Sequence, residues 1–405
     1  MKTKPIELLA PAGNFEKLEI AIHYGADAVY LSGKDFSLRN FSGNFTEAEL
    51  ERAVALAHKH DVNVYVACNI YSRDHEHAAV LDFLTFLKQL RPDGLIVSDP
   101  GIVLSALERI PEIPLHLSTQ VSTTNSRAAV FWKNQGVRRI NVARELSLAE
   151  IKEISANVNM EIEAFVHGAM CISYSGRCLL SSFMENRDGN RGMCCHPCRF
   201  SYAVVEAKRP DQYYPLAEDK RGSYIFNSRD LCMIEHLPAM IDAGITSLKI
   251  EGRMKGINYL ASVVKVYRAA IDAYLDNPSG ITIETYWRDE LDRVSNRGYG
   301  TGFYLGDVDN TRPNYAGNSA SGHRFIAKVL EPLSPRQVRV EVRNKIFQGD
   351  DIEIITPEVP NRMDSIGAIH NADGQTVDFA QPGSLVVLTL KTPCNSNDLI
   401  RKVAL

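Results

Sequence analysis

The chain has 405 residues, 45% of them hydrophobic and 23% charged, with a formal net charge of −4 and eight cysteines. That length exceeds what one ordinary core fills, so two domains are expected, and the slight acidity excludes attachment to nucleic acid by bulk charge alone. The opening MKTKPIELLAPAG carries no apolar leader and no long apolar run follows, which leads to the expectation of a cytoplasmic protein with no membrane partner.

In chain order, short apolar runs alternate with amphipathic helical stretches. Ile6–Leu9 comes first, with a helix through Glu16–Tyr24, then Ala28–Gly33 and a helix carrying LERAVALAHKH. Val62–Asn69, Gly94–Asp99, Pro114–Gln120, Arg139–Glu145 and Glu161–Gly168 follow, each with a helix behind it; Ser247–Arg253 precedes a helix through Tyr259–Asp276. Eight strands alternating with helices predict parallel βα units, and eight is the number that closes a (β/α)8 TIM-like barrel. After Asn277-Pro278-Ser279-Gly280 the periodicity changes. Ser295–Asp307 reads as a connector, and from His323 short alternating runs predict a small antiparallel β-barrel. The expected domains are a barrel over 1–280, a connector over 281–321 and a C-terminal β-barrel over 322–405.

Chemistry on such a barrel sits at the C-terminal mouth, where the βα loops gather. The seventh loop, residues 168–245, far exceeds the usual two to six residues and reads as a functional insertion. Cys171, Cys178, Cys194, Cys195 and Cys198 fall at its start and Cys232 near its end, among Gly, Ser, Asn and Arg, whereas Cys68 and Cys394 read as buried thiols. A reducing compartment argues against disulfides, and thiolates drawn from separate loops suit an iron–sulfur cube better than one zinc ion. The insertion also carries Arg177, Arg187, Arg191, Arg199, Lys208, Arg209, Lys220, Arg221 and Arg229. With Lys249, Arg253 and Lys255 these form either a basic mouth or a solvated mixed-charge surface. Phe200, Tyr202, Tyr213, Tyr214 and Tyr224 would stack on bases if exposed, and would otherwise belong to half-buried strands.

The run EAFVHGAMCISYSGRCLLS closely resembles the signature of the U-32 collagenase-like peptidase family, with Glu163, Phe165, Gly168, Ala169, Cys171, Gly176, Cys178 and Ser181 in register. RDGNRGMC, PCRFSY, NSRDLC and SLKIEGRMK match as well, so the resemblance spans roughly residues 6–305. It implies hydroxylation factors that carry a 4Fe–4S cluster and act on tRNA, ribosomal RNA or a quinone precursor. The implied cluster ligands are Cys171, Cys178, Cys194 and Cys232. Cys195, directly after Cys194, departs from the pattern and leaves Cys194, Cys195 and Cys198 as alternatives for the third. A C-terminal β domain accompanies the members that resemble tRNA-modifying proteins.

The function expected on that resemblance is 5-hydroxyuridine formation at the tRNA wobble position, with prephenate as oxygen source. A base inside a stack cannot be reached, so it would be flipped or single-stranded at the mouth. His167, Glu163, Lys249, Glu251 and Arg253 are the catalytic candidates: histidine as a proton shuttle, Lys249 or Arg253 as partner of a carboxylate or phosphate. The alternatives are a collagenase-like peptidase, for which neither HExxH nor GxSxG is present, and an iron–sulfur partner protein for another hydroxylation. His75–His77 lacks ligand spacing and reads as a helix start.

Overall fold

The computed structural model describes residues 6–37, 43–171, 173–199, 229–278, 281–306 and 323–403, together with the backbone of 205–206, 209–213, 218–219 and 222–223. The chain divides into two compact units. One takes the described residues within 1–18, 26–254 and 296–319; the other those within 19–25, 255–295 and 320–405.

The first unit is a closed parallel barrel. Its strands are β1 (Glu7–Pro11), β2 (Ala28–Leu31), β3 (Asn63–Cys68), β4 (Gly94–Val97), β5 (Leu115–Leu117), β6 (Arg139–Asn141) and β7 (Glu161–Ala169). Helices α1 (Phe15–His23), α2 (Glu47–Lys59), α3 (His77–Leu90), α4 (Pro100–Arg109), α5 (Ser126–Asn134) and α6 (Leu148–Asn157) run between them. His77 does open a helix, behind a 3-10 turn over Asp74–Glu76. The helices start where side chains satisfy the orphan amides of the first turn: Thr46 and Glu49 form a capping box for α2, Ser147 and Glu150 for α6, and Asp99 caps α4 ahead of Pro100.

From the seventh loop come α7 (Leu180–Glu185) and four short strands, β8 (Val205–Glu206) paired with β9 (Arg209–Tyr213) and β10 (Glu218–Asp219) paired with β11 (Gly222–Ser223). The loop returns as β12 (Asp230–Cys232), then α8 (Leu237–Asp242) and β13 (Ser247–Ile250). β13 closes the barrel by pairing with both neighbours, Leu248 standing opposite Leu8 of β1 and Ala164 of β7. β12 was not foreseen. It lies antiparallel on the outer end of β7, with Asp230 opposite Ala169, Leu231 opposite Gly168 and Cys232 opposite His167.

The second unit holds α9 (Ile257–Asp276) and α10 (Thr285–Asp292), while β14 (Tyr299–Gly300) pairs with β12 in the first. Its sheet strands are β15 (Arg324–Ser334), β16 (Gln337–Val342), β17 (Ile346–Phe347), β18 (Asp351–Ile355), β19 (Arg362–Ser365), β20 (Ala368–His370), β21 (Thr376–Val377), β22 (Phe379–Ala380), β23 (Leu385–Thr389) and β24 (Leu399–Lys402). Eight form one antiparallel sheet in the order β19-β18-β24-β15-β16-β23-β20-β21, and β17 pairs with β22 separately. The sequence runs suggested five or six strands; the additional ones, β17, β19, β21, β22 and β24, are only two to four residues long. The core is aliphatic, including Ile326, Val340, Ile354, Leu388 and Ile400, with Cys394 at its edge. Beneath it Arg401, wholly buried, donates to Glu290 (2.6 Å) and Glu353 (2.8 Å), fastening α10 to β18 and β24.

Candidate active site in the barrel interior and mouth

TIM-barrel interiors are ordinarily filled with layers of branched aliphatic side chains. Here only part of the filling is apolar, from residues such as Leu9, Ala67 and Ile96. The rest is polar. At the N-terminal end Arg139 pairs with Glu7 (2.6 Å) and Glu161 (2.9 Å), and the Tyr65 hydroxyl donates to Glu7 (2.5 Å). Burial, then the Glu7 charge, raises the Tyr65 phenol far above its usual range.

One layer further up, Glu163 and Lys249 meet across the paired strands β7 and β13. The Lys249 ammonium donates to Glu163 Oε1 at 2.7 Å, and Asn141 Nδ2 donates to the same oxygen at 2.9 Å. The ammonium also sits 4.4 Å over the Tyr30 ring. Glu163 is 1% exposed and Lys249 4%, so the charges stabilise each other in a medium that hardly screens them. His116 stands beside Tyr65, ring centroids 4.5 Å apart, and burial followed by the charges of Arg139, Lys249 and Arg138 holds it well below the ordinary histidine range. It is therefore neutral at pH 7. Asn141 Oδ1 and His116 Nδ1 are buried and meet no hydrogen-bonding partner among the described residues, and Glu163 Oε2 has only the Arg139 guanidinium, 3.6 Å away and beyond hydrogen-bonding distance. Unmet polar atoms inside a protein cost roughly 1–3 kcal/mol each, which makes such a group unusual in a core selected for packing alone.

At the mouth the candidates separate. Arg253 is buried and donates to Ser37 Oγ (2.9 Å), Ser32 and Asn44, groups brought by the second βα loop. His167 is buried at the top of β7 with its ring 5.2 Å from Tyr299, and its carbonyl accepts the Glu251 amide at 2.9 Å. Arg144, not singled out by the sequence, lies 3.7 Å over the Phe165 ring and donates to the Ala169 carbonyl. A cavity of about 630 Å³ opens nearby between α2 and α3, lined by Phe36, Phe45, Phe83, Lys34 and Arg191 among others. It does not include Glu163 or Lys249. Arg191 grips Glu76 with two hydrogen bonds, which places the loop ahead of Cys194 against the third βα unit.

Cys68 and Cys394 are buried, Cys171 is exposed, and Cys178, Cys194, Cys195, Cys198 and Cys232 are half-buried. Cys232 stands opposite His167, and Cys171 follows β7 by two residues, exposed. Cys178 and Cys194 are half-buried on adjoining turns: Asn190 Nδ2 donates to the Cys178 carbonyl, and the His196 amide donates to Cys194 Sγ at 3.4 Å. His196 itself has a left-handed backbone, φ +58°. Cys195 Sγ instead lies 3.3 Å from the Ser181 hydroxyl. Among the described residues no three His, Cys, Asp or Glu side chains converge tightly enough to hold a single ion. Gly176, φ +69°, presses on β5's outgoing loop so closely that a Cβ there would lie 2.1 Å from the Gln120 carbonyl. The side chains of Arg199, Lys208, Arg209, Lys220, Arg221 and the five insertion aromatics lie outside the described residues.

Fold and mouth together define a (β/α)8-barrel protein with a thiol-bearing insertion at the C-terminal mouth of the barrel. The chain belongs to peptidase family U32: the family model matches residues 13–314, and the model of the U32 C-terminal domain matches 321–401. It is 40% identical to the tRNA hydroxylation protein P1 of Bacillus subtilis over 99% of this chain and 95% of that protein. It is 35% identical to the tRNA hydroxylation protein P of Escherichia coli over 96% of this chain and 94% of that one. It is also 28% identical to a protein of Porphyromonas gingivalis named collagenase, over 98% of both. Among the described residues no helix is long and apolar enough to cross a membrane.

Proposed function

We propose that this protein acts in the hydroxylation of tRNA, forming 5-hydroxyuridine at the wobble position with prephenate as the small co-substrate. The observation that carries the reading is the match, over nearly the whole length, to relatives named for tRNA hydroxylation. The polar barrel interior supports it, because it offers charged and orphaned groups where a reacting molecule would need them. A 4Fe–4S cluster is part of the proposal, held by Cys171, Cys178, Cys194 and Cys232; when bound it would supply one-electron chemistry. Cys194 is taken as the third ligand for its place after Arg191-Gly192-Met193, and its sulfur accepts the His196 amide.

The chain's own residues divide the remaining work. Lys249 presents a fixed cation to a substrate carboxylate or to negative charge that develops during reaction. Glu163 holds that cation in place and, through Oε2, offers a second oxygen for a proton. His167 is placed to pass a proton at the top of β7. Glu251 acts through its backbone on His167, and Arg253 orders the second βα loop rather than meeting substrate. Deleting the gene should remove hydroxylated uridine from bulk tRNA, read by nucleoside mass spectrometry, and protein purified without oxygen should carry about four iron and four sulfide. An unchanged nucleoside profile together with gelatin cleavage by the pure protein would overturn the reading in favour of a peptidase, the activity in the name of the Porphyromonas relative.

A further inference from the structure

In the second unit, Phe347 and Phe379 face each other across the two-stranded β17–β22 ladder, with ring centroids 6.1 Å apart and planes inclined by 46°. They are 42% and 45% exposed, although both strands place their neighbours Ile346 and Ala380 inside the core. The Lys345 ammonium lies 4.8 Å over the first ring and 4.5 Å over the second, and Lys402 lies 5.7 Å over Phe347. The nearby acid is already engaged. Asp350 accepts Lys402 through one oxygen (2.5 Å) and the Phe347 amide through the other (2.9 Å). Lys345, exposed, has no carboxylate partner among the described residues. Asp378, exposed just ahead of β22, accepts the Gln348 amide through its backbone carbonyl, and no ion pair joins it to Lys345 among the described residues.

We propose that Phe347, Phe379 and Lys345 form a stacking platform for unpaired nucleotides of the tRNA, so that the C-terminal unit contributes substrate affinity. The inference rests on the tRNA reading above. Its argument is complementarity. An apolar protein partner covering the two rings would bury the Lys345 ammonium without an anion, at a cost that grows with desolvation. A nucleotide offers both halves at once, a base face for a phenyl ring and a phosphate oxygen for the ammonium. Every base has a π face, so such a platform tolerates any sequence and leaves the choice of nucleotide to the barrel. The neutral balance of the domain fits a contact made by stacking, with one or two phosphates met by lysine, rather than by bulk charge.

The test uses the full-length protein and an unmodified tRNA transcript, with binding read by fluorescence anisotropy at several salt concentrations. Phe347→Ala/Phe379→Ala should raise Kd by about tenfold or more, whereas Phe347→Tyr/Phe379→Tyr should keep near-parental affinity because stacking survives. Lys345→Ala should make the dependence of log Kd on log salt shallower by about one. Both aromatic positions are exposed, so circular dichroism and thermal midpoint should stay parental. If the parental protein binds and hydroxylates tRNA but the double alanine variant binds equally well, the platform is refuted and the function stands. If the parental protein neither binds nor hydroxylates tRNA, both fall. Loss of self-association in the double variant, with tRNA affinity unchanged, would reassign the surface to a protein contact and refute the proposal.

Discussion

The Glu163–Lys249 pair can be probed by removing each partner alone and then both. At 2.7 Å and an effective dielectric near 20, the attraction between unit charges is about 6 kcal/mol before desolvation is subtracted. Lys249→Met leaves a carboxylate that is 1% exposed, with Asn141 and the Arg139 guanidinium, 3.6 Å away, as its remaining support. Glu163→Gln leaves an ammonium supported mainly by the Tyr30 ring. Each single change should cost about 3–5 kcal/mol, because it strands a buried charge. The double variant should cost clearly less than the sum, with a coupling of about 2 kcal/mol or more. Urea unfolding followed by tryptophan fluorescence suits the measurement. Trp132 in α5 reports on the barrel unit and Trp287 in α10 on the other, so a Trp287→Phe background isolates the relevant signal. The double variant should fold and still form no hydroxyuridine. Additivity of the two single losses within about 0.5 kcal/mol would refute the claim that these groups form a coupled pair.

Three further outcomes are expected. Gly176→Ala, which would set a Cβ 2.1 Å from the Gln120 carbonyl, should displace the segment bearing Cys178; iron content should fall while circular dichroism of the barrel persists. His116 stays neutral when folded, but the unfolded chain takes up a proton near pH 6.5, so stability should be flat above that pH. Below it stability should fall by up to about 1.4 kcal/mol per pH unit, and His116→Gln, followed by urea titrations at pH 7.5 and 5.0, should lack that slope. Burial pushes the Cys68 and Cys394 thiols up to about 12, so both should resist a thiol reagent at pH 8 in the native, cluster-free protein while exposed Cys171 reacts; labelling of Cys68 before Cys171 in peptide mapping would contradict the burial.

The barrel was legible because each strand is a short apolar run with a helix behind it, a pattern fixed by local periodicity. The polar interior was less so. Tyr30, Tyr65, His116, Arg139 and Asn141 lie in the same runs, and only closure of the sheet decides which alternate residues face inward. Glu163 and Lys249 were among the catalytic candidates, and the register of β7 against β13 brings them together. Arg253 was read as a catalytic candidate, and its hydrogen bonds to Ser32, Ser37 and Asn44, more than two hundred residues away, were not foreseen. No local signal carries a contact of that separation. β12 was missed for a related reason: three residues, Asp-Leu-Cys, have no period to detect until β7 offers an edge.

That short strand changes what kind of loop the insertion is. Because β12 returns along β7, the chain between Met170 and Arg229 is the tip of a very long hairpin, anchored at its neck by ladder bonds to the barrel. Bringing together the ends of a free segment of about 60 residues costs roughly 3–4 kcal/mol of loop-closure entropy. Here the ladder has met that cost before any ligand arrives, and Cys171 and Cys232 are held at the neck whatever the intervening chain does. Within the tip, described contacts fasten the loop to the barrel locally: Gly176 packs on Gln120 beside Cys178, and Arg191 grips Glu76 ahead of Cys194. Weakening the neck should matter more: replacing Asp230, which Arg297 clasps, would loosen both cysteines at once, because Asp230 pairs with Ala169 in the ladder that holds them.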